Sequence, residues 1–229
     1  MLSSFIACAA LLSPASQIPE GMKSHTLAIL VTGSKKADPA EAGKLQAEHL
    51  KFLKGLWEER KALAVGPFTN GKEWRGLVVL ETKDEKEARE ILSKDPFVSR
   101  GILDVLTFDW LTMESTWGKG KEFMDLAEYR FAVLRRPKDA KQVDDDTRKK
   151  WSESHMANIN KMAKDGLLIA AGPILNGKEI RGIFVLQEKD EAKIKAAVQA
   201  DALISNGLLE MQLITWYTSK GNINLPKIP

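Results

Sequence analysis

Apolar positions run along the chain in two rhythms, and the pair of rhythms occurs twice. Residues 25–31 form a short apolar and β-branched run, which predicts a strand. Leu50, Leu53, Leu56 and Trp57 then recur at helical spacing, which predicts an amphipathic helix over residues 39–61. Asp38 is placed as its N-cap and Pro39 as its first residue. A second strand is expected at 62–68. Asn70-Gly71 follows, the dipeptide suited to φ > 0 in a tight hairpin turn. A third strand returns over 75–81. Asp84 caps a helix reaching about residue 94, Asp95-Pro96 opens one further turn, and Gly101 ends it. The last strand covers 102–111. The order is β-α-β-β-α-β, that of a ferredoxin-like split βαβ unit.

The same order recurs further on. "GPFTNGKEWRG" at 66–76 returns as "GPILNGKEIRG" at 172–182. At a constant offset of 106, residues 47–112 align with 153–218 without gaps, and 21 of the 66 positions are identical. Upstream, Ala28-Ile29-Leu30 matches Ala132-Val133-Leu134 at offset 104. Two homologous units, 22–117 and 125–220, account for this. Residues 118–124 then read as a glycine- and lysine-rich linker, and 221–229 as a tail.

The topology has a geometric consequence. If the first strand points up, the first helix begins at the top and the second strand ends there. The Asn-Gly hairpin and the end of the second helix lie there too. Residues remote in sequence are thus expected at one pole: His49 on the helix, Arg75 past the hairpin, and Asp95 after the second helix. In the second copy they are His155, Arg181 and Asp201.

Charge adds exclusions. The net charge is +3, from 34 basic and 31 acidic side chains interspersed along the chain. No compact Lys/Arg run with interleaved aromatics suggests a nucleic-acid partner. The single cysteine, Cys8, supports neither a disulfide framework nor a cysteine zinc site. His25, His49 and His155 have no metal-ligand spacing, so no metal site is expected. Residues 2–12 are apolar apart from Ser3 and Ser4 and are then broken by Ser13-Pro14, too short to span a bilayer as a helix. Residues 1–16 resemble a cleaved signal peptide, which implies export, although no Lys or Arg precedes the apolar run. The alternatives are a buried apolar arm and a cytoplasmic protein.

Each candidate has a plain structural alternative. His49 and His155 border the apolar stripe of their helices, and packing against the sheet explains one such residue. Asp95 and Asp201 head a helical turn, and capping explains them. The functional reading joins the two: a carboxylate bonded to imidazole fixes its tautomer for acid–base work. Arg75 and Arg181 suit an anion clamp, or a surface pair with the neighbouring glutamate. Trp110 and Trp216 read as core or interface packing. His25 has no histidine counterpart, since Tyr129 stands there.

Together, "AVGPF…NGKEWRG" and "AAGPI…NGKEIRG", "DEKEA", and "DPFVSRGI" or "DALISNGL" ending in Trp resemble the YciI-like (YCII-related) domain family. The likeness covers nearly all of each half. It implies a pseudo-dimer of two α+β, ferredoxin-like domains of the dimeric α+β barrel type. It also implies paired site residues, His49 with Asp95 and His155 with Asp201. Ala202 replaces the proline of the second turn. No cofactor is implied. The expected function is a metal-independent acid–base enzyme of lyase or isomerase type, acting on a small oxygenated or ring substrate. The alternative is a non-catalytic module binding a small ligand or a protein.

Overall fold

The computed structural model describes residues 18–226. The leader reading of residues 1–16, Cys8 included, lies outside the described residues. The first unit contains β1 (Met22–Thr32), α1 (Ala42–Glu58), β2 (Ala62–Pro67), β3 (Trp74–Leu80), α2 (Glu85–Leu92), α3 (Pro96–Ser99) and β4 (Leu103–Met113). The second contains β5 (Leu126–Arg135), α4 (Asp145–Lys164), β6 (Leu168–Pro173), β7 (Ile180–Leu186), α5 (Glu191–Gln199), α6 (Ala202–Ser205) and β8 (Glu210–Ser219). The sheets are antiparallel, in the orders β2-β3-β1-β4 and β6-β7-β5-β8. The predicted ferredoxin-like order holds in both copies.

Each strand alternates between two cores because successive side chains face opposite ways. Ala28, Leu30, Val78 and Leu80 face Leu53 and Leu56 of α1. The second copy repeats this with Ala132, Leu134, Phe184 and Ile159. Leu27, Ile29, Phe131 and Val133 face the other way, into a core shared by both sheets. Trp110 and Trp216 are fully buried there, as packing residues. At roughly 1.5–3 kcal/mol per large apolar side chain, this shared core docks the units firmly.

The sheets also join at their edges. Phe68 bridges Trp216, and Trp110 bridges Ile174, so β2 meets β8 and β6 meets β4. Gly66 lies so close to β8 that a Cβ there would sit 1.6 Å from the Tyr217 carbonyl oxygen. At Gly172 the Leu111 carbonyl oxygen would be 1.7 Å away. These glycines are required by close approach of another backbone. The fold is a pseudo-dimer of two α+β units, of the dimeric α+β barrel type.

Three local expectations need correction. Helix α1 starts at Ala42 rather than Pro39, because Asp38 turns the chain earlier: its Oδ1 accepts from the Ala40 N–H at 2.9 Å. Gly71 does not adopt positive φ; Lys72 does, at 55°. Gly71 is instead wedged by the Trp74 carbonyl, 2.6 Å from where a Cβ would stand. The join at 118–124 is no free linker. Trp117 is buried and bridges Ile223, and the Gly118 N–H donates to the Asn222 carbonyl at 2.9 Å.

Candidate functional site

The first helix, the hairpin and the turn after α2 meet at one pole of the first unit, and the predicted residues meet with them. The buried carboxylate of Asp95 divides its two oxygens. Oδ1 caps α3, accepting from the N–H groups of Phe97 at 2.9 Å and Val98 at 3.3 Å. Oδ2 lies 2.6 Å from His49 Nδ1. Capping and pairing, alternatives in the sequence, coexist because a carboxylate has acceptor capacity for both. The bond holds the imidazole with its proton on Nδ1. Among the described residues nothing bonds Nε2, which leaves that nitrogen for a ligand.

The second copy repeats the arrangement. Asp201 caps α6 through the Leu203 N–H at 2.9 Å, and its other oxygen bonds His155 Nδ1. Asp201 caps without a following proline, so the loss of proline at Ala202 leaves the pair intact.

A cleft of about 130 Å³ opens beside His49. Its walls are mostly apolar and include Leu50, Leu53, Val65 and Val78. Gly66-Pro67 closes one side, as expected, and Arg75 stands at the mouth. Arg75 is exposed, and its Nε donates to Thr32 Oγ1 at 3.1 Å. Among the described residues no ion pair joins it to Glu73. Its terminal nitrogens face no carboxylate there, so an anion is a fitting partner. Arg181 differs: its Nη1 donates to the Gly177 carbonyl of its own hairpin at 3.2 Å.

Phe123 and Met124 also line this cleft. They belong to the connection between units, which the sequence predicts as a linker. Phe123 packs on Trp57 with ring centroids 5.7 Å apart, and the Met124 N–H donates to Ser219 Oγ at 2.9 Å. Met124 adopts φ of 68°, strained for a side-chain-bearing residue. A phenylalanine beside a methionine in an otherwise Gly/Lys-rich stretch was the available signal.

Among the described residues no three His, Cys, Asp or Glu side chains converge as a metal site would need. Also among them, no helix is long and apolar enough to cross a membrane.

The YCII-related domain matches twice, at residues 26–110 and 129–217. The chain belongs to that family and carries two tandem copies of its domain. No curated protein matches the sequence. Solved structures similar in fold include a haem-binding protein from Thermus thermophilus, at 13% identity and TM-score 0.53, covering 88% of this chain and 93% of the other. A mutant chlorite dismutase from Candidatus Nitrospira defluvii is similar at 11% identity and TM-score 0.55, covering 87% and 92%. At such identities the likeness concerns the fold alone.

Proposed function

We propose that this protein is an acid–base enzyme of lyase or isomerase type, acting on a small oxygenated or ring substrate. The observation that carries the reading is the His49–Asp95 bond of 2.6 Å at the wall of the cleft. Asp95 fixes the tautomer, so Nε2 presents its lone pair to a bound molecule. Nε2 takes a proton from a carbon next to a carbonyl or a leaving group. The electron pair left behind either expels the leaving group or moves to form an enolate. Arg75 at the mouth balances the developing or resident negative charge. Nε2 then returns the proton to the departing group or to another carbon. His155, Asp201 and Arg181 occupy the corresponding positions in the second copy.

The cleft limits the substrate. About 130 Å³ is well under the roughly 300–1,000 Å³ of drug-sized ligand sites. A small molecule with an apolar body and one anionic edge suits the lining. A porphyrin does not fit, so the haem of the Thermus protein is not carried over. One imidazole and one carboxylate are too few ligands to hold a metal ion. Export through residues 1–16 belongs to the same proposal, and N-terminal sequencing of the mature protein tests it.

The test is turnover of small lactones, enols and chlorinated hydroxyaromatics by the native protein and by His49→Ala/His155→Ala. The proposal expects the double variant to lose about 10²-fold or more of the rate. An unchanged rate overturns the mechanism. Saturable binding without turnover in the native protein supports the non-catalytic module instead.

A further inference from the structure

The two His–Asp pairs invite a count of two working sites. The side chains around them differ. At the position facing α1, β3 carries Val78, opposite Ala28 of β1. In the second copy the equivalent position carries Phe184, opposite Ala132 of β5. Val78 lines the cleft beside His49. Phe184 is 2% exposed and stacks on His155, with ring centroids 6.1 Å apart and planes at 21°. Such a separation and offset are those of a favourable aromatic pair. The Phe184 ring thus packs on His155 at the position where the smaller Val78 lines the cleft beside His49.

The surroundings accommodate this ring. Ala163 and Ala171 stand where the first copy has Trp57 and Val65, and both share a core cluster with Phe184. Phe184 is therefore a settled core residue. Two further differences run the same way. Arg181 is bonded back onto its own hairpin, whereas Arg75 stands at the cleft mouth. Phe123 and Met124, which wall the first cleft, come from the connection between the units.

We infer that the chain works through the first copy's site alone, and that Phe184 closes the second. The inference rests on the reading of the cleft as a small-molecule site. His155 and Asp201 remain as a structural pair: the aspartate caps α6, and the imidazole satisfies its second oxygen. Val78 and Phe184 are thus the residues that decide which copy admits a ligand.

The two imidazoles start on equal terms for a chemical probe, with side chains 11% and 10% exposed. Diethyl pyrocarbonate modifies both, and peptide mass spectrometry follows each separately. Benzoate, a small flat carboxylate, serves as the competing ligand. It is expected to slow modification of His49 severalfold and leave His155 unaffected. Val78→Phe removes the protection at His49. Phe184→Val, which only trims a side chain, extends protection to His155 and keeps the question answerable if Val78→Phe does not fold. Equal protection of both histidines in the native protein overturns the inference and leaves the cleft's function standing, whereas protection of His155 alone overturns the inference and the reading of the His49 cleft together. Protection of neither overturns the small-molecule reading and this inference with it.

Discussion

Asn70 of the first copy accepts a hydrogen bond, through its side-chain oxygen, from the backbone N–H of Thr215 in the second, at 2.6 Å. Asn176 accepts in return from the N–H of Asp109 at 2.9 Å. The same two loops also donate backbone bonds, Thr69 N–H to the Thr215 carbonyl at 3.1 Å and Leu175 N–H to the Asp109 carbonyl at 2.8 Å. The duplicated hairpin is therefore a clasp between units as well as a turn. Asn70→Ala and Asn176→Ala should each cost about 0.5–1.5 kcal/mol in urea unfolding. The two losses should add, because the sites share no partner. Gly66→Ala should cost more than either, since its Cβ would overlap the Tyr217 carbonyl. A neutral Gly66→Ala would contradict the close docking of β2 and β8.

Asp95 supports two structures with two oxygens, and substitutions separate them. Asp95→Asn keeps an oxygen to cap α3. It turns its amide toward His49 Nδ1, which must then accept, so the ring proton moves to Nε2 and the base is lost. Stability should change little, while any turnover falls by about 10²–10⁴. Nitrogen-15 shifts of the imidazole report the tautomer directly. Asp95→Ala removes both bonds and should lower stability by about 1–3 kcal/mol. Retention of the original tautomer in Asp95→Asn would show that the carboxylate does not set it.

Much of this was legible because duplication prints the same pattern twice. Strand and helix order followed from periodicity, and the pole shared by His49 and Asp95 followed from topology. The clasp did not, because Asn70-Gly71 satisfies a turn rule locally and nothing local reveals the strand across the interface. The end of α1 was overrun for a similar reason. Arg60 takes φ of 59° where the second copy has Gly166 at 73°, so only the second copy advertises the stop. The cleft wall at Phe123 was hidden by its glycine- and lysine-rich setting. Composition reports how a segment behaves alone, and here contacts from α1, β8 and residues 222–223 order it.

That ordering is open to proteolysis. Residues 118–121 read GKGK, an apparent invitation to trypsin. Yet a Cβ on Gly118 would stand 2.2 Å from the Gly221 carbonyl oxygen, and one on Gly120 would stand 2.7 Å from Asn222 Oδ1. Trp57 Nε1 donates to that same Asn222 oxygen at 2.9 Å, and Arg60 Nη1 to the Gly118 carbonyl at 2.7 Å. Cleavage after Lys119 or Lys121 should be slow in the native protein and should track unfolding as denaturant is added. Trp57→Phe, which removes the indole donor, should speed it. Rapid cleavage of the native chain at Lys119 would mean that the connection is a free tether.

His25 supplies a pH dependence unrelated to the proposed chemistry. Its ring is 3% exposed, edge-on to Trp117 at 5.8 Å, and among the described residues neither nitrogen has a hydrogen-bond partner. Glu81 Oε2 lies 3.3 Å from Nδ1 but outside hydrogen-bonding geometry. Burial pushes the His25 pKa below its usual 6.5; Lys23 acts in the same direction, and Glu81 and Glu114 oppose without prevailing. The folded protein therefore holds the ring neutral, while the unfolded chain binds a proton below about pH 6.5. Stability from this group is complete above that pH and falls as pH drops through the unfolded value toward the folded one. His25→Phe keeps an aromatic ring beside Trp117 and removes the titrating nitrogens. The melting temperature of the native protein should decline more steeply between about pH 7 and pH 5 than that of His25→Phe. Parallel declines would show that His25 carries no part of the acid sensitivity.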